Sequence, residues 1–195
     1  MNMIIEKAKE YCLKIIADHE DIYNLVSHLP EAEKWAIKLL KRFPEADPEI
    51  VLLSVWLHDV SHYVGDLESD HAIRSEKMAS EFLQQNGYPK DKMGQVLHCV
   101  RAHRCRDVQP ETLEAKLMAC IDSASHMTDY CYINIVQNGR FDYAYGKMDR
   151  DYRDVGLFPE IQKELAPIHN AWGKLIREYE KLGVVKNRTN HSYKA

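Results

Sequence analysis

Apolar residues recur at spacings of three and four along almost the whole chain, and no stretch sustains the alternation typical of a β-strand. The segment from residue 25 to 40 shows this spacing clearly, with apolar positions Leu25, Leu29, Ala32, Trp35, Ala36, Leu39 and Leu40. The pattern predicts an all-α fold, a helical bundle of seven or eight helices in a single domain over residues 1–183. The polar tail 184–195 carries no such pattern, and we expect it to be disordered.

Cap and turn residues divide the pattern into separate helices. Asp47 is a typical N-cap and is followed by Pro48 at the first helical position, while Asp70 and Gly87 flank the next helix. The predicted helices cover, in chain order, residues 4–17, 25–40, 48–60, 70–86, 89–103, 111–136, 147–155 and 159–181. The aromatic-rich stretch 141–146 is interpreted as a loop or a helix entry.

The charge balance excludes several classes of partner. The chain has 26 basic and 30 acidic residues, a net charge of −4, so no basic excess is available to neutralise a large nucleic acid or an anionic membrane. The longest apolar run, 50–57, is far shorter than the roughly 20 residues that a membrane-spanning helix needs. The first residues lack the apolar core of a secretory signal. These features predict a cytoplasmic protein that uses neither a membrane nor a large nucleic acid.

The sequence contains ten histidines, and several lie on the apolar faces of the predicted helices. A single inward histidine is more often a core residue with a hydrogen-bond partner than a metal ligand. Here six ligand-type side chains from five helices are predicted to point inward: His28, His58, Asp59, His71, His103 and Asp122. Burying four imidazoles and two carboxylates together without a cation would carry a large desolvation cost, so the set predicts a metal site in the bundle.

The other histidines do not share this pattern. His98 is predicted to face solvent, because it lies on the side of its helix opposite the apolar stripe. His62 and His126 follow helical metal-site candidates closely, and their spacing does not assign them a role. Three more lie outside any constellation: His19, His169 and His191.

The stretch Trp56-Leu57-His58-Asp59-Val60 resembles the signature of the HD-domain superfamily of metal-dependent phosphohydrolases. The segment that begins at His28 resembles the first ligand segment of that superfamily, and the segment that ends at Asp122 resembles its last. The segments around His71 and His103 resemble its two auxiliary histidine segments. The resemblance covers about 28–128 and implies an HD-like metal-binding core over about 22–130. The C-terminal helices, 147–181, lie outside it, and they could cover the site or form a homodimer surface.

Three positions depart from the superfamily pattern. Ser61 stands where many members have glycine, Glu31 where arginine is usual, and Ser125 where a second aspartate is common. The acidic residue that nucleoside monophosphatases carry shortly after the doublet is also missing, which argues against that specific activity.

The resemblance implies that His28, His58, Asp59 and Asp122 hold one divalent ion, and that His71 and His103 could hold a second. Imidazole and carboxylate ligands without thiolate suit Mn, Fe, Mg or Ni, with Zn also compatible. The five cysteines form no C-x-x-C pair, which argues against a structural zinc ribbon.

The first functional hypothesis is hydrolysis of a small phosphate ester or a nucleotide-type phosphoanhydride by a metal-activated water. Candidate catalytic residues are Asp59, His71 and His103, and candidate cations for the phosphorylated substrate are Arg74, Arg101 and Arg104. Two alternatives keep the same site. One is a di-iron oxygenase of HD type that acts on a small organic substrate, and the other is a non-catalytic metal-binding module.

Overall fold

A computed structural model describes residues 3–183 of the chain. Within this range the protein consists of α-helices and one short 3-10 helix, without a strand, which confirms the predicted all-α fold. The α-helices are α1 Met3–Ala17, α2 Leu25–Leu40, α3 Pro48–Leu57, α4 His71–Gln85, α5 Lys90–Ala102, α6 Leu113–Thr128, α7 Cys131–Gln137, α8 Phe141–Asp154 and α9 Pro159–Leu182. The 3-10 helix is Val155–Leu157. The tail 184–195, predicted to be disordered, lies outside the described residues.

Residues 3–183 form nine α-helices rather than the predicted seven or eight, because one predicted helix is divided into two. The helix predicted over 111–136 ends at Thr128, where Asp129 adopts an extended backbone with φ −99° and ψ −157°. The Asp129 carboxylate accepts a hydrogen bond from Cys131 N at 2.7 Å, and this side-chain bond replaces the helical pattern and begins α7. The stretch 141–146, interpreted as a loop or helix entry, is the first part of α8.

Helix α3 lies at the centre of the bundle that α1 to α6 form. It is apolar on all sides, and α1, α2, α5 and α6 pack around it. Asp47 caps its N-terminus as predicted, accepting from Glu49 N at 2.9 Å. Because the helix is surrounded, the two residues that follow it, His58 and Asp59, emerge inside the bundle and are buried.

The C-terminal helices pack beside this core. Helix α8 contacts α6, α7 and α9, and α9 also contacts α6 and α7. Helix α6 is thereby enclosed between the core and the C-terminal helices, and most of its residues are buried. Among residues 3–183, no helix combines the length and the apolar character that crossing a bilayer requires.

Candidate metal centre

The structure brings all six inward-facing candidates of the sequence to one place, where the ends of several helices meet. In the first cluster, defined as His28, His58 and Asp122, each side chain offers one atom to a common point. His28 Nε2 lies 3.2 Å and His58 Nε2 3.4 Å from Asp122 Oδ1, and the two Nε2 atoms are 3.4 Å apart. All three residues are buried. The first cluster is therefore a compact set of nitrogen and oxygen donors that could hold a metal ion.

A second cluster, defined as Asp59, His62 and His71, adjoins the first. Asp59 Oδ1 lies 3.3 Å from His62 Nε2 and 3.4 Å from His71 Nε2. His103 borders this cluster, with its Nε2 3.3 Å from His71 Nε2 and 3.8 Å from Asp59 Oδ1. The other Asp59 oxygen, Oδ2, is 3.4 Å from His58 Nε2, so this carboxylate joins the two clusters.

Local hydrogen bonds hold the second cluster in place. Ser61, in the turn after α3, donates from Oγ to the His71 carbonyl at 2.9 Å, and its backbone N donates to Ser75 Oγ at 3.3 Å. These bonds fix the turn that carries Asp59 against the start of α4, where His71 lies. The serine that departs from the family pattern thus has a positioning role.

The ring orientation of the first-cluster histidines is fixed by acceptors behind them. His58 Nδ1 donates to the Val55 carbonyl at 2.8 Å, and His28 Nδ1 donates to Asp129 Oδ2 at 3.0 Å. Since these acceptors hold a proton on Nδ1, both Nε2 atoms point toward Asp122, and each offers a lone pair to a metal ion when the ring is neutral. This outer arrangement is the one commonly found behind metal-binding histidines.

The pKa directions follow from this geometry in the metal-free protein. Burial disfavours the charged form of His28, but hydrogen bonds to Asp122 and Asp129 outweigh it and raise the pKa of His28 to about 9. Burial acts against ionisation of Asp122, yet His126 and His28 hold the pKa of this carboxyl well below its usual range. The first cluster therefore attracts positive charge, which a proton or a metal ion can supply.

His71 has the opposite ring state. Arg104 Nη1 lies 3.3 Å from His71 Nδ1 and can only donate, so the neutral His71 ring carries its proton on Nε2. Arg104 is itself held by Asp70 at 2.5 Å. Burial and the neighbouring His62 keep the pKa of His71 well below its usual value, and burial together with His58 lowers the pKa of His103 to about 4. His71 and His103 are therefore neutral imidazoles.

The donor atoms fit a divalent metal ion. Asp59 Oδ1 is buried and has no hydrogen-bond partner among the described residues, although three imidazole nitrogens surround it. An unpaired buried carboxylate oxygen is costly unless a cation or proton neutralises it. The Nε2 atoms of His28 and His58, together with the Asp59 carboxylate, whose Oδ2 lies 3.4 Å from His58 Nε2, mark the place where an ion would be bound.

A family model described as HD domain matches residues 25–127, which is more than half of the chain. The chain belongs to the HD domain family. The predicted resemblance is confirmed, and the matched range contains all six predicted ligand candidates. HD domains bind divalent metals, and the match supports the general class of metal-dependent hydrolases. A search of curated proteins and a search of solved structures found no match to this HD domain protein.

Two residues that sequence spacing did not assign belong to the site. His62 is a member of the second cluster, and His126 stacks on His28 with ring centroids 4.5 Å apart and its Nε2 3.6 Å from Asp122 Oδ1. The position of His126 one helical turn after Asp122 is a signal that could have placed it there. His62 lies in a turn, where no periodicity exists to reveal its direction.

Other contributors were missed because they come from outside the matched region. Lys147, on α8, donates to His126 Nδ1 and to Asp151, each at 2.8 Å. Tyr132 donates to the same Asp151 carboxylate at 2.8 Å. Like Asp129, these residues reach the site through the packing of the C-terminal helices, which no local pattern in the sequence reveals.

A cavity of about 580 Å³ opens over the two clusters, and the three predicted substrate-binding arginines differ in their relation to it. Arg74 and Arg104 line the cavity. Arg74 donates to the Ser61 carbonyl at 3.2 Å. Arg101 is not among the cavity residues, because its guanidinium turns away to Asp107, at 3.0 Å, and to Glu76.

The remaining histidines lie away from both clusters. His98, predicted to face solvent, is half-buried and accepts a hydrogen bond from Glu111 N at 3.1 Å. His19 is exposed, and His169 stacks on Tyr152 at 4.1 Å between ring centroids. His191 lies outside the described residues.

Proposed function

We propose that this HD domain protein is a phosphohydrolase that cleaves a small phosphate ester or a nucleotide-type phosphoanhydride. The observation that carries the proposal is the position of the first cluster next to the neutral imidazoles of His71 and His103 and to Arg104. His28, Asp122, both of these imidazoles and Arg104 line one cavity. Phosphoryl transfer needs positioning and electrostatic stabilisation of charge, and this arrangement offers both.

We assign His28, His58, Asp59 and Asp122 to one divalent ion, for which Mn, Fe, Mg, Ni and Zn are all compatible with the donor set. Such an ion supplies polarisation of a phosphoryl oxygen and lowers the pKa of a bound water from about 15.7 toward 7. The proton that Arg104 keeps on His71 Nε2 favours one ion over two, because a protonated nitrogen cannot ligate.

The second cluster would then handle protons and the substrate. His71 presents an N–H that can donate to a phosphoryl or leaving oxygen, and Arg104 behind it keeps the proton on that nitrogen. Asp59 Oδ1, which lacks a hydrogen-bond partner, can accept a proton from an attacking water. In the ligand-free site this N–H points to His103 Nε2, 3.3 Å away, which accepts it because His103 Nδ1 donates to the Val100 carbonyl at 2.7 Å; a substrate oxygen would take the place of His103 as the acceptor.

Charge on the cavity wall favours a small phosphorylated partner. Arg104 adjoins His71 and can form paired hydrogen bonds to a phosphate, with Arg74 nearby on the same wall. A large nucleic acid would need an extended basic surface, which the net charge of −4 does not favour.

The test combines metal analysis with an assay of phosphate release. We expect purified protein to contain divalent metal and to cleave p-nitrophenyl phosphate or a member of a nucleotide panel when supplied with Mn²⁺ or Mg²⁺. Asp59→Ala should lose bound metal and cut cleavage by about 100-fold or more. Asp91→Ala, which removes an exposed carboxylate on α5, is the control and should change neither.

Two outcomes would reject the proposal. If Asp59→Ala cleaved the substrate as fast as wild type, the two clusters would not be the site of the reaction. Substrate loss that needs dioxygen and releases no phosphate would instead favour the di-iron oxygenase, which the presence of two adjoining clusters makes the second candidate.

A further inference from the structure

The cavity has a second group of cations beyond Arg104, which we call the arginine wall and define as Arg106, Arg140 and Arg150. All three line the same cavity as the metal-binding clusters. Tyr143 lies among them, with its ring centroid 4.2 Å from Arg140 Cζ and 5.6 Å from Arg150 Cζ. The wall comes from the segment after α5 and from the start and middle of α8, so most of it lies outside the family match.

Two members of the wall form no ion pair with a carboxylate of the described residues. Within residues 3–183, no carboxylate lies within 4.0 Å of Arg106 or Arg150. By contrast, Arg104 is paired with Asp70. Asp154 of α8, which also lines the cavity, is paired with Arg153 at 2.9 Å.

Arg106 and Arg150 are also close enough to repel. Burial and the positive charges of Arg104 and Arg150 lower the pKa of Arg106. Like charges gathered in a concave surface raise the local concentration of anions. Within residues 3–183, Arg106 and Arg150 form no ion pair with a carboxylate, so their guanidinium groups are available to an anionic ligand.

Local backbone features aim these side chains at the cavity. Cys105, between Arg104 and Arg106, has a φ of 49°, a left-handed conformation that costs a non-glycine residue about 1–2 kcal/mol. This sharp turn at the end of α5 lets both flanking arginines line the cavity. On α8, a Cβ at Gly146 would lie 3.2 Å from Arg150 Nη1, so glycine allows the arginine to lie across the helix.

We propose that Arg106 and Arg150, beside Tyr143, form a second anion-binding subsite, and that the substrate carries two anionic groups. One phosphoryl group would lie at the metal-binding clusters, and a second group, phosphate or carboxylate, would lie at the arginine wall. Guanidinium groups bind both anions through paired hydrogen bonds. This inference rests on the proposed function, and it adds a substrate class: small dianionic molecules with separated charges.

The test uses non-hydrolysable probes and measures binding. Methylphosphonate carries one anionic group, and α,ω-alkane bisphosphonates with two to eight methylenes carry two at increasing separation. Each is titrated calorimetrically into Mn²⁺-loaded protein dialysed free of excess metal. We expect one chain length to bind at least about tenfold more tightly than methylphosphonate, the gain typical of a charge-assisted bidentate pair. ω-Phosphonocarboxylates of matching length show whether the second group is carboxylate or phosphate.

Substitutions test whether Arg106 and Arg150 cause the tighter binding of the bisphosphonates. Arg106→Gln with Arg150→Gln should remove the preference for two anionic groups and leave methylphosphonate affinity within about twofold. The control is Arg153→Gln, on the same helix but paired with Asp154 and outside the cavity lining, which should keep the preference. Circular dichroism melting confirms that each variant is folded, and Arg106→Gln and Arg150→Gln are also measured singly.

The subsite proposal fails if no chain length binds more tightly than methylphosphonate, or if the double variant weakens methylphosphonate and the bisphosphonates equally. Its failure is separable from failure of the proposed function. Cleavage of p-nitrophenyl phosphate, which has one phosphate, would continue without the subsite. A preference for two anionic groups without any phosphate release would keep the subsite and reject the hydrolase.

Discussion

The two clusters of the candidate metal centre contain the same kinds of residue but differ in what lies behind them. Behind His58 in the first cluster is the Val55 carbonyl, and behind His28 is Asp129, so both present lone pairs. Behind His71 in the second cluster is Arg104, so it presents an N–H. The partner of the remote ring nitrogen therefore decides whether a histidine can hold a metal ion or donate to a substrate.

The largest expected effect separates the two clusters by metal content. His58→Ala should lose the ion and the activity, because it removes one of the two Nε2 donors. His71→Ala should retain the ion and lose about 10²–10⁴-fold in kcat, the usual contribution of a general acid or base. Elemental analysis after gel filtration, together with steady-state kinetics, measures both.

A different metal content would contradict the distinction between a first cluster that binds metal and a second cluster that donates a proton. If wild-type protein holds two ions and His71→Ala holds one, then both clusters bind metal and Arg104 does not keep His71 in the donor state. Ser75→Ala, which removes a hydroxyl contact of the same turn without touching an imidazole, is the control for local disturbance.

Sequence spacing could identify the members of the site that lie on helices. His28 and Asp122 share faces with buried apolar residues, so periodicity alone aims them inward, and the His58-Asp59 doublet follows a helix that is apolar on all sides. His62 has no such signal because it lies in a turn. Asp129 lies at the break between α6 and α7, and its role depends on α2 packing against α6.

Sequence spacing also did not distinguish between the two arginines near the end of α5. Arg101 and Arg104 are three residues apart near the end of α5, and sequence reasoning gave them the same role. Helix α5 ends at Ala102, so Arg101 lies in its last turn and Arg104 in the segment that follows, next to the left-handed Cys105. A cysteine in this conformation is uncommon, so the sequence gives no warning of the turn.

The next effect tests the charge of the first cluster in metal-free protein. The pKa of His28 is about 9 in the folded state and about 6.5 when unfolded. A raised pKa stabilises the fold fully below pH 6.5, and this contribution is lost as the pH rises through about 9. It corresponds to about 3 kcal/mol. Urea unfolding of metal-free protein should show the free energy of unfolding falling between pH 6.5 and 8.5.

Two variants test whether this fall in the free energy of unfolding with pH comes from the first cluster. His28→Gln should reduce the slope to the part that comes from His58, whose pKa Asp59 and Asp122 raise against the effect of burial. His19→Gln, which changes an exposed histidine outside both clusters, should keep the full slope. A free energy of unfolding that stays constant or rises over this pH range would contradict the raised pKa.

A smaller effect is expected from the outer carboxylate of the first cluster. Asp129→Asn keeps an oxygen for the hydrogen bond from Cys131 N but removes the negative charge behind His28. Loss of such a carboxylate typically weakens metal affinity about 10–100-fold. Competition with a fluorescent chelator measures this change, and an affinity equal to wild type would show that Asp129 serves only to begin α7.

The smallest effect is expected for substitution of Arg101, and it distinguishes an arginine that lines the cavity from one that does not. Because Arg101 binds Asp107 and Glu76 rather than lining the cavity, Arg101→Gln should leave kcat/KM within about twofold of wild type. Arg104→Gln, three residues away, should lower kcat/KM by about tenfold or more, since it removes both a phosphate-binding cation and the donor behind His71. Steady-state kinetics on both variants measures the difference. Equal losses of kcat/KM in the two variants would contradict this expectation. They would mean that substrate responds to the summed positive charge at the end of α5, whichever group each guanidinium contacts.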